Sequence, residues 1–417
     1  YRRYLYLHTR RMRTSTSAIA ALACAVFAGC SDGESRVLGD PVAFDELPTA
    51  EATGPRLSST IDGGLVLSWM EDRDDGTALQ FARLIDGALQ TPGEVVVEPR
   101  MFVNWADLPS VMQFDGDHWA AHWLRYSADR VYSYDVVVSQ SFDGGRNWIM
   151  PVTAHDDGTP TEHGFVSMHR AADGVALLWL DGRDTANEPT GNALDTSMTL
   201  RAATIAANGA VIAEQLVDDS VCDCCQTDVA VADGVPVAVY RDRTAGEVRD
   251  IYVTRFLDGA WKPGTRLYAD DWVIPGCPVN GPSIVARGKD VAVAWFSAAR
   301  GAPVVRVARS TDGGRSFGAP IEVASGRLAG YVGLAALPDG SLAVSWVARA
   351  DTGNNELRLR HIGVSGTPGE ELLLAEIGQL RVFPQLGYLD GELVLFWTDD
   401  AGGERRLHGV SIPVTGI

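Results

Sequence analysis

The chain has 417 residues, 46% of them apolar, with 44 glycines and 20 prolines. That is enough apolar material for a full core, and the glycines and prolines point to many turns rather than long helices. Its formal charge of −19 argues against nucleic acid and anionic lipid surfaces as partners.

At the N-terminus, Arg10, Arg11 and Arg13 precede an apolar run over 18–28 that ends in Phe27-Ala28-Gly29-Cys30. Basic, then apolar, then small residues before a cysteine resembles a bacterial lipoprotein leader. The resemblance covers the first 30 residues, and Met12 is a candidate start. It implies that residues 1–29 are removed and that Cys30 is lipidated. Residues 30–50 then form a tether and closing strand, and the protein sits in the cell envelope, periplasmic or surface-exposed. The leader carries Arg2, Arg3, Arg10, Arg11 and Arg13 and no acid, which leaves 30 basic and 54 acidic residues, a formal −24. The alternative is a buried helix of the mature fold. No later stretch is long and apolar enough to span a bilayer.

From residue 51 to 417 one pattern recurs. An apolar strand ends in an aromatic at Trp69, Trp123, Trp179, Tyr240, Trp295, Trp346 and Trp397. The gaps are 54, 56, 61, 55, 51 and 51 residues. A shorter strand and a turn precede each, and two further strands follow. Four antiparallel strands per period of this length predict an all-β propeller blade. Seven blades are favoured, with six plus a packed hairpin as the alternative. The last unit has room for three strands, so residues 42–45 are predicted to supply the fourth and close the ring.

Two octapeptides stand out: Ser141-Phe-Asp-Gly-Gly-Arg-Asn-Trp148 and Ser310-Thr-Asp-Gly-Gly-Arg-Ser-Phe317. Asp143 and Asp312 can accept from their own turn's N–H groups. The glycine pairs, including Gly145 and Gly314, supply the φ > 0 that tight hairpins need. Trp148 and Phe317 can fold beneath the tip as apolar plugs. These octapeptides resemble the Asp-boxes of the sialidase-like (BNR-repeat) β-propellers. The resemblance covers residues 56–417 and implies a ligand-binding face opposite those hairpins. That face is built from loops between blades and from loops joining the second and third strands.

The loops assigned to that face hold every cysteine that follows Cys30. Cys222, Cys224 and Cys225 lie between units three and four, and Cys277 between units four and five. One reading is a pair of disulfides. Another is a soft-metal site for copper(I) or zinc, joined by His163 or Met101. A redox-active disulfide is the third.

Charged residues fall in the second–third strand loops. They include Asp181, Arg183 and Asp184 in unit three, and Arg241, Asp242 and Arg243 in unit four. Salt bridges between loops compete with a pocket for a carboxylate or sugar. The sialidase resemblance further implies three arginines on a substrate carboxylate, a tyrosine nucleophile paired with a glutamate, and an aspartate acid. Arg56-Leu57-Ser58 matches the family's Arg-Ile-Pro motif in part, with serine where proline is expected. Arg56, Arg241 and Tyr331 are the candidates for catalytic roles. His118 and His122 lie too far apart along a strand, about 13 Å, to chelate one ion.

The expected protein is thus a monomeric envelope lipoprotein whose propeller binds a metal ion, a glycan or an envelope protein. An exo-acting glycoside hydrolase of the sialidase type and a disulfide-stapled scaffold are the alternatives.

Overall fold

Runs such as Leu65-Val-Leu-Ser-Trp-Met and Val291-Ala-Val-Ala-Trp-Phe are near-continuously apolar, as strands covered on both faces must be. In the computed structural model they are the second strands of seven antiparallel sheets. The structure describes residues 37–44, 47–48, 52–186, 196–378, 383–401 and 404–416. Cys30 and the leader reading of residues 1–29 lie outside them.

The sheets follow one another along the chain as blades 1 to 7. They cover residues 52–98, 110–153, 163–221, 228–266, 283–325, 328–377 and 385–413. In blades 1 to 6 the chain runs up and down from the inner strand outward, and inner strands of neighbouring blades lie against one another. Blade 7 has only three strands of its own. Val42–Ala43 adds the fourth, pairing Val42 with Ser411 and Ala43 with Val410. A bridge from Leu38 to Val414 and a tilted contact of Phe44 with Phe396, ring centroids 5.0 Å apart, extend the closure. The architecture is therefore a seven-bladed propeller zipped shut by its N-terminal strand.

The periodic aromatics are core. Trp69, Trp123, Trp179, Tyr240, Trp295 and Trp346 are all at most 1% exposed. Each removes roughly 200 Å² from water, about 5 kcal/mol of transfer free energy at most. That burial excludes them as stacking platforms for a ligand. A buried N–H or O–H needs an acceptor, and carboxylates provide most of these. Trp69 donates to Glu71 at 2.8 Å, Trp123 to Glu98 at 3.2 Å and Trp179 to Asp181 at 2.8 Å. Tyr240 donates to Asp218 at 2.6 Å, and Trp295 to Asp270 at 2.7 Å.

The two octapeptides fold alike, each joining a third strand to a fourth. Ser141 Oγ donates to Asp143 Oδ1 at 2.9 Å and accepts the Gly145 N–H at 3.0 Å. Ser310 does the same with Asp312 at 2.7 Å and Gly314 at 3.0 Å. Trp148 packs on Phe81 with ring centroids 5.9 Å apart, and Phe317 joins the core of blades 4 and 5.

Candidate functional site: a thiol cluster on one face

In an up-and-down sheet the second–third strand loops and the between-blade loops emerge at the same end. The octapeptide hairpins emerge at the other. The cysteine-bearing loops and the charged loops therefore share one face.

Inner strands enter that face through a bulge. In blades 3 and 6 the ladder breaks after Gly164 and around Gly330, and the following aromatic takes positive φ: 54° at Phe165, 53° at Tyr331. Each strained residue is held from the loop that leads into the preceding blade. Asp107 Oδ1 accepts the Phe165 N–H, and Asn280 Oδ1 accepts the Tyr331 N–H, both at 2.7 Å. Only glycine fits beside those acceptors. A Cβ on Gly164 would lie 2.0 Å from Asp107 Oδ2, and one on Gly330 would lie 2.1 Å from Asn280 Oδ1.

The loop 222–227 is drawn inward by similar bonds. Gln226 donates to the Ala106 carbonyl at 2.7 Å and accepts the Gly281 N–H at 3.1 Å. Thr227 donates to the Phe165 carbonyl at 2.9 Å. These ties bring the cysteine loops together. The sulfurs of Cys222, Cys224 and Cys225 all lie within 4.8 Å of one another, with Cys222 and Cys225 at 3.1 Å. Cys222 and Cys225 are buried, Cys224 is half-buried, and Cys277 is exposed with its thiol against Cys224.

Donors surround the sulfurs. Arg249, itself 1% exposed, donates to Cys222 Sγ at 3.3 Å, and the Asn280 N–H donates to Cys225 Sγ at 3.4 Å. Burial opposes ionisation of Cys222, yet the neighbouring thiols and the Arg249 and Arg241 cations bring its pKa well below the ordinary thiol value. Cys224 and Cys225 are pushed up, Cys224 chiefly by its thiol neighbours and Cys225 chiefly by burial. Cys277 is drawn down as well, chiefly by its bond with the Cys224 thiol, so the two more acidic thiols are Cys222 and Cys277.

The other expected site residues have different surroundings. Arg241 is 2% exposed and donates to the carbonyls of Arg249, Asn280 and Phe296. Its guanidinium lies over Trp272, 4.8 Å from the ring centre, so it binds the fold together rather than facing a ligand. Arg243 is spent on Glu247, Asp223 and the Thr196 carbonyl. Buried Asp242 is pushed up to about 7 by burial and by Asp218. Arg183 grips Asp181 through two bonds of 2.8 and 2.7 Å, while Asp184 is exposed. Arg56 is half-buried, and Tyr331 packs against Trp105 and Phe383 at 6.0 and 4.9 Å.

His163 stands apart from the thiols. It stacks on His155 at 3.8 Å among Asp135, Asp157 and Asp181. Despite its burial, these carboxylates raise its pKa. Met101 is likewise elsewhere, in the core of blades 1 and 2. His163 is held by carboxylates and Met101 by apolar neighbours, so neither is grouped with the thiols.

Sequence reasoning missed Arg249, Asn280 and Asp107. A single arginine in a polar turn carries no signal of its own, and Asp107 and Asn280 acquire their roles only through contacts with distant loops.

No family model matches the chain, and no curated protein does either. Solved structures do resemble its trace. A protein of unknown function from Dyadobacter fermentans aligns with a TM-score of 0.48 at 15% identity, over 90% of this chain and 98% of that one. An endosialidase of phage phi92 aligns at 0.49 and 9% identity, over 91% and 70%. A Hadza microbial sialidase aligns at 0.45 and 15%, over 85% and 77%. At such identities the likeness is one of fold: the structural neighbours are sialidase- and neuraminidase-like β-propellers.

Proposed function

We propose that this protein is an envelope-anchored propeller that binds a soft metal ion, copper(I) or zinc, through Cys222, Cys224, Cys225 and Cys277. The observation that carries the reading is the pair of N–H donors aimed at sulfur, from Arg249 to Cys222 and from Asn280 to Cys225. Metal-bound thiolates keep negative charge and accept such bonds, and second-shell donors orient and tune them. A disulfide sulfur has little need of a buried guanidinium. The sulfurs of Cys222, Cys224 and Cys225 are already grouped, Cys277 from the second loop would complete a tetrahedral set, and thiolate donors select zinc or copper(I) over hard cations. The ion would cross-link the loops between blades 3, 4 and 5. Localisation follows the leader resemblance, with a lipid on Cys30 as the anchor.

The test uses protein with Cys24 and Cys30 changed to serine, purified without reductant. One equivalent of metal by elemental analysis, and four thiols titrating after denaturation with chelator, are expected. Zero free thiols until reductant is added, with no metal, would establish two disulfides instead and end the metal reading. Mass spectrometry of membrane-extracted protein tests the anchor separately: an acylated Cys30 N-terminus is expected, and an intact leader refutes it.

A further inference from the structure

The four cysteines are graded in exposure from the inside outward. Cys222 and Cys225 are buried, Cys224 is half-buried, and Cys277 is exposed. The grading follows from how the two loops are held. In the first, the Cys222 N–H donates to the Arg241 carbonyl at 2.9 Å, and Asp223 accepts the Met198 N–H at 2.8 Å. The bonds of Gln226 and Thr227 pin its far end.

The second loop is pinned at its shoulders alone. Asp250 accepts the N–H groups of Asp271 and Trp272 at 3.0 and 3.1 Å, and the Ile274 N–H donates to the Glu247 carbonyl at 3.0 Å. Asn280 anchors the other shoulder against Cys225 and Tyr331. Between them, among the described residues, the backbone of 275–278 makes no hydrogen bond to another element. Pro275 and Pro278 have no N–H to give. Val279 then takes φ 48°, a strained value for a β-branched residue and one found where a segment moves. The tie from this tip to the cluster is the Cys277 thiol itself, which meets Cys224.

A structural zinc site is closed on all sides, whereas a site that trades a ligand keeps one position open. Ligand exchange by a thiolate depends on access to the sulfur it replaces. An external thiol can reach Cys277, while Cys222 and Cys225 are shielded.

We propose that Cys277 is the exchange ligand of the thiol site, the sulfur at which the protein passes its ion to and from an external thiol. This rests on the metal reading above and adds a direction to it. The incoming thiol gives its proton to solvent and its sulfur bonds the ion. The bond from the ion to Cys277 breaks, and Cys277 takes a proton from solvent. No electron moves, and the ion keeps its charge. Cys222, Cys224 and Cys225, grouped on the pinned loop, hold the ion while the outer ligand changes.

The test uses the full chain with Cys24 and Cys30 changed to serine, loaded with zinc or with copper(I). Glutathione is added, then a short pulse of iodoacetamide, and the labelled cysteines are mapped by mass spectrometry. Without glutathione all four thiols are expected to be protected. With it, Cys277 alone is expected to be labelled while the ion stays bound. Cys277→Ser alters an exposed side chain and leaves the outer position vacant. Native mass spectrometry is expected to show its adduct of protein, ion and glutathione at a lower glutathione concentration than the parent requires. A single-cysteine peptide run beside glutathione identifies the source: faster exchange with the peptide assigns a carrier protein, faster exchange with glutathione a free thiol. Labelling of Cys224 before Cys277, release of all four thiols together, or an adduct that forms no more readily in Cys277→Ser would overturn the assignment and leave metal binding standing. A chain that takes up neither ion would sink both.

Discussion

Asp107 and Phe165 are 58 residues apart in sequence, and the carboxylate of one accepts the backbone N–H of the other at 2.7 Å. That bond holds a non-glycine residue at positive φ and so fixes where blade 3 enters the functional face. It also buries an acid whose other oxygen lies 3.3 Å from the Tyr134 hydroxyl.

Removing that acceptor leaves the Phe165 N–H unsatisfied in a strained turn. Asp107→Ala is expected to lower stability by about 2 kcal/mol. Gly164→Ala is expected to do at least as much, because its Cβ would overlap the Asp107 carboxylate. Asp107→Asn keeps an acceptor and should lose the least. Urea denaturation of the three variants checks the order, and an Asp107→Ala protein as stable as the parent would refute the role.

The same region sets a pH dependence. Burial pushes Asp107 up to about 8 and Glu162 up to about 7, against the pull of the Phe165 N–H on one and the Tyr134 hydroxyl on the other. Both acids ionise near 4 in the unfolded chain, so the folded protein binds more protons between about pH 4 and 8. Stability is then greatest at the acid end of that window and falls as pH rises through 7 and 8. His163 acts in the same direction, since its folded pKa is raised and its contribution fades as pH climbs through it. Melting temperature is expected to drop from pH 5 to pH 8.5, and the double variant Asp107→Asn, Glu162→Gln should flatten the slope. A profile that rises over that range would contradict the assignment.

Arg249 offers a direct probe of the sulfur cluster. Replacing it with methionine removes the cation beside Cys222 but keeps much of the side-chain bulk. Second-shell changes of this kind weaken metal binding by about 10–100-fold. Competition with a chromogenic chelator measures the loss. An unchanged affinity for both zinc and copper(I) would separate Arg249 from the site.

Ring closure is testable by truncation. A chain starting at residue 52 lacks the strand that covers Val410 and Ser411, and so exposes a sheet edge. It is expected to melt several degrees lower and to associate with increasing concentration, as light scattering would detect. A truncated chain that stays monomeric and equally stable would show that the terminal strand adds little.

The blade count and the second strands were legible from the sequence alone, because each is a short-range or periodic property; the closing role expected of residues 42–45 followed from the strand missing in the last repeat, and residues 42–43 make the pairing. An apolar strand ending in an aromatic, a glycine turn and a repeat near 50 residues require no knowledge of distant contacts. The octapeptides, too, carry their Ser–Asp–Gly bonds within eight residues, although the Gly144 N–H donates outside to the Asp117 carbonyl and the Gly313 N–H to the Lys289 carbonyl.

The sites were legible only in outline. Counting loops placed Cys277 and Cys222 on one face, but it could not show that Arg241 is spent on backbone carbonyls. It joined His163 to the thiols, while the ladder placed it among carboxylates. The acids that serve the buried aromatics had no shared sequence signature, because they come from different positions along the chain. Local periodicity determines which elements form; the partner of each polar group depends on where the closed ring brings residues 50 or more apart, and only the tertiary structure decides that.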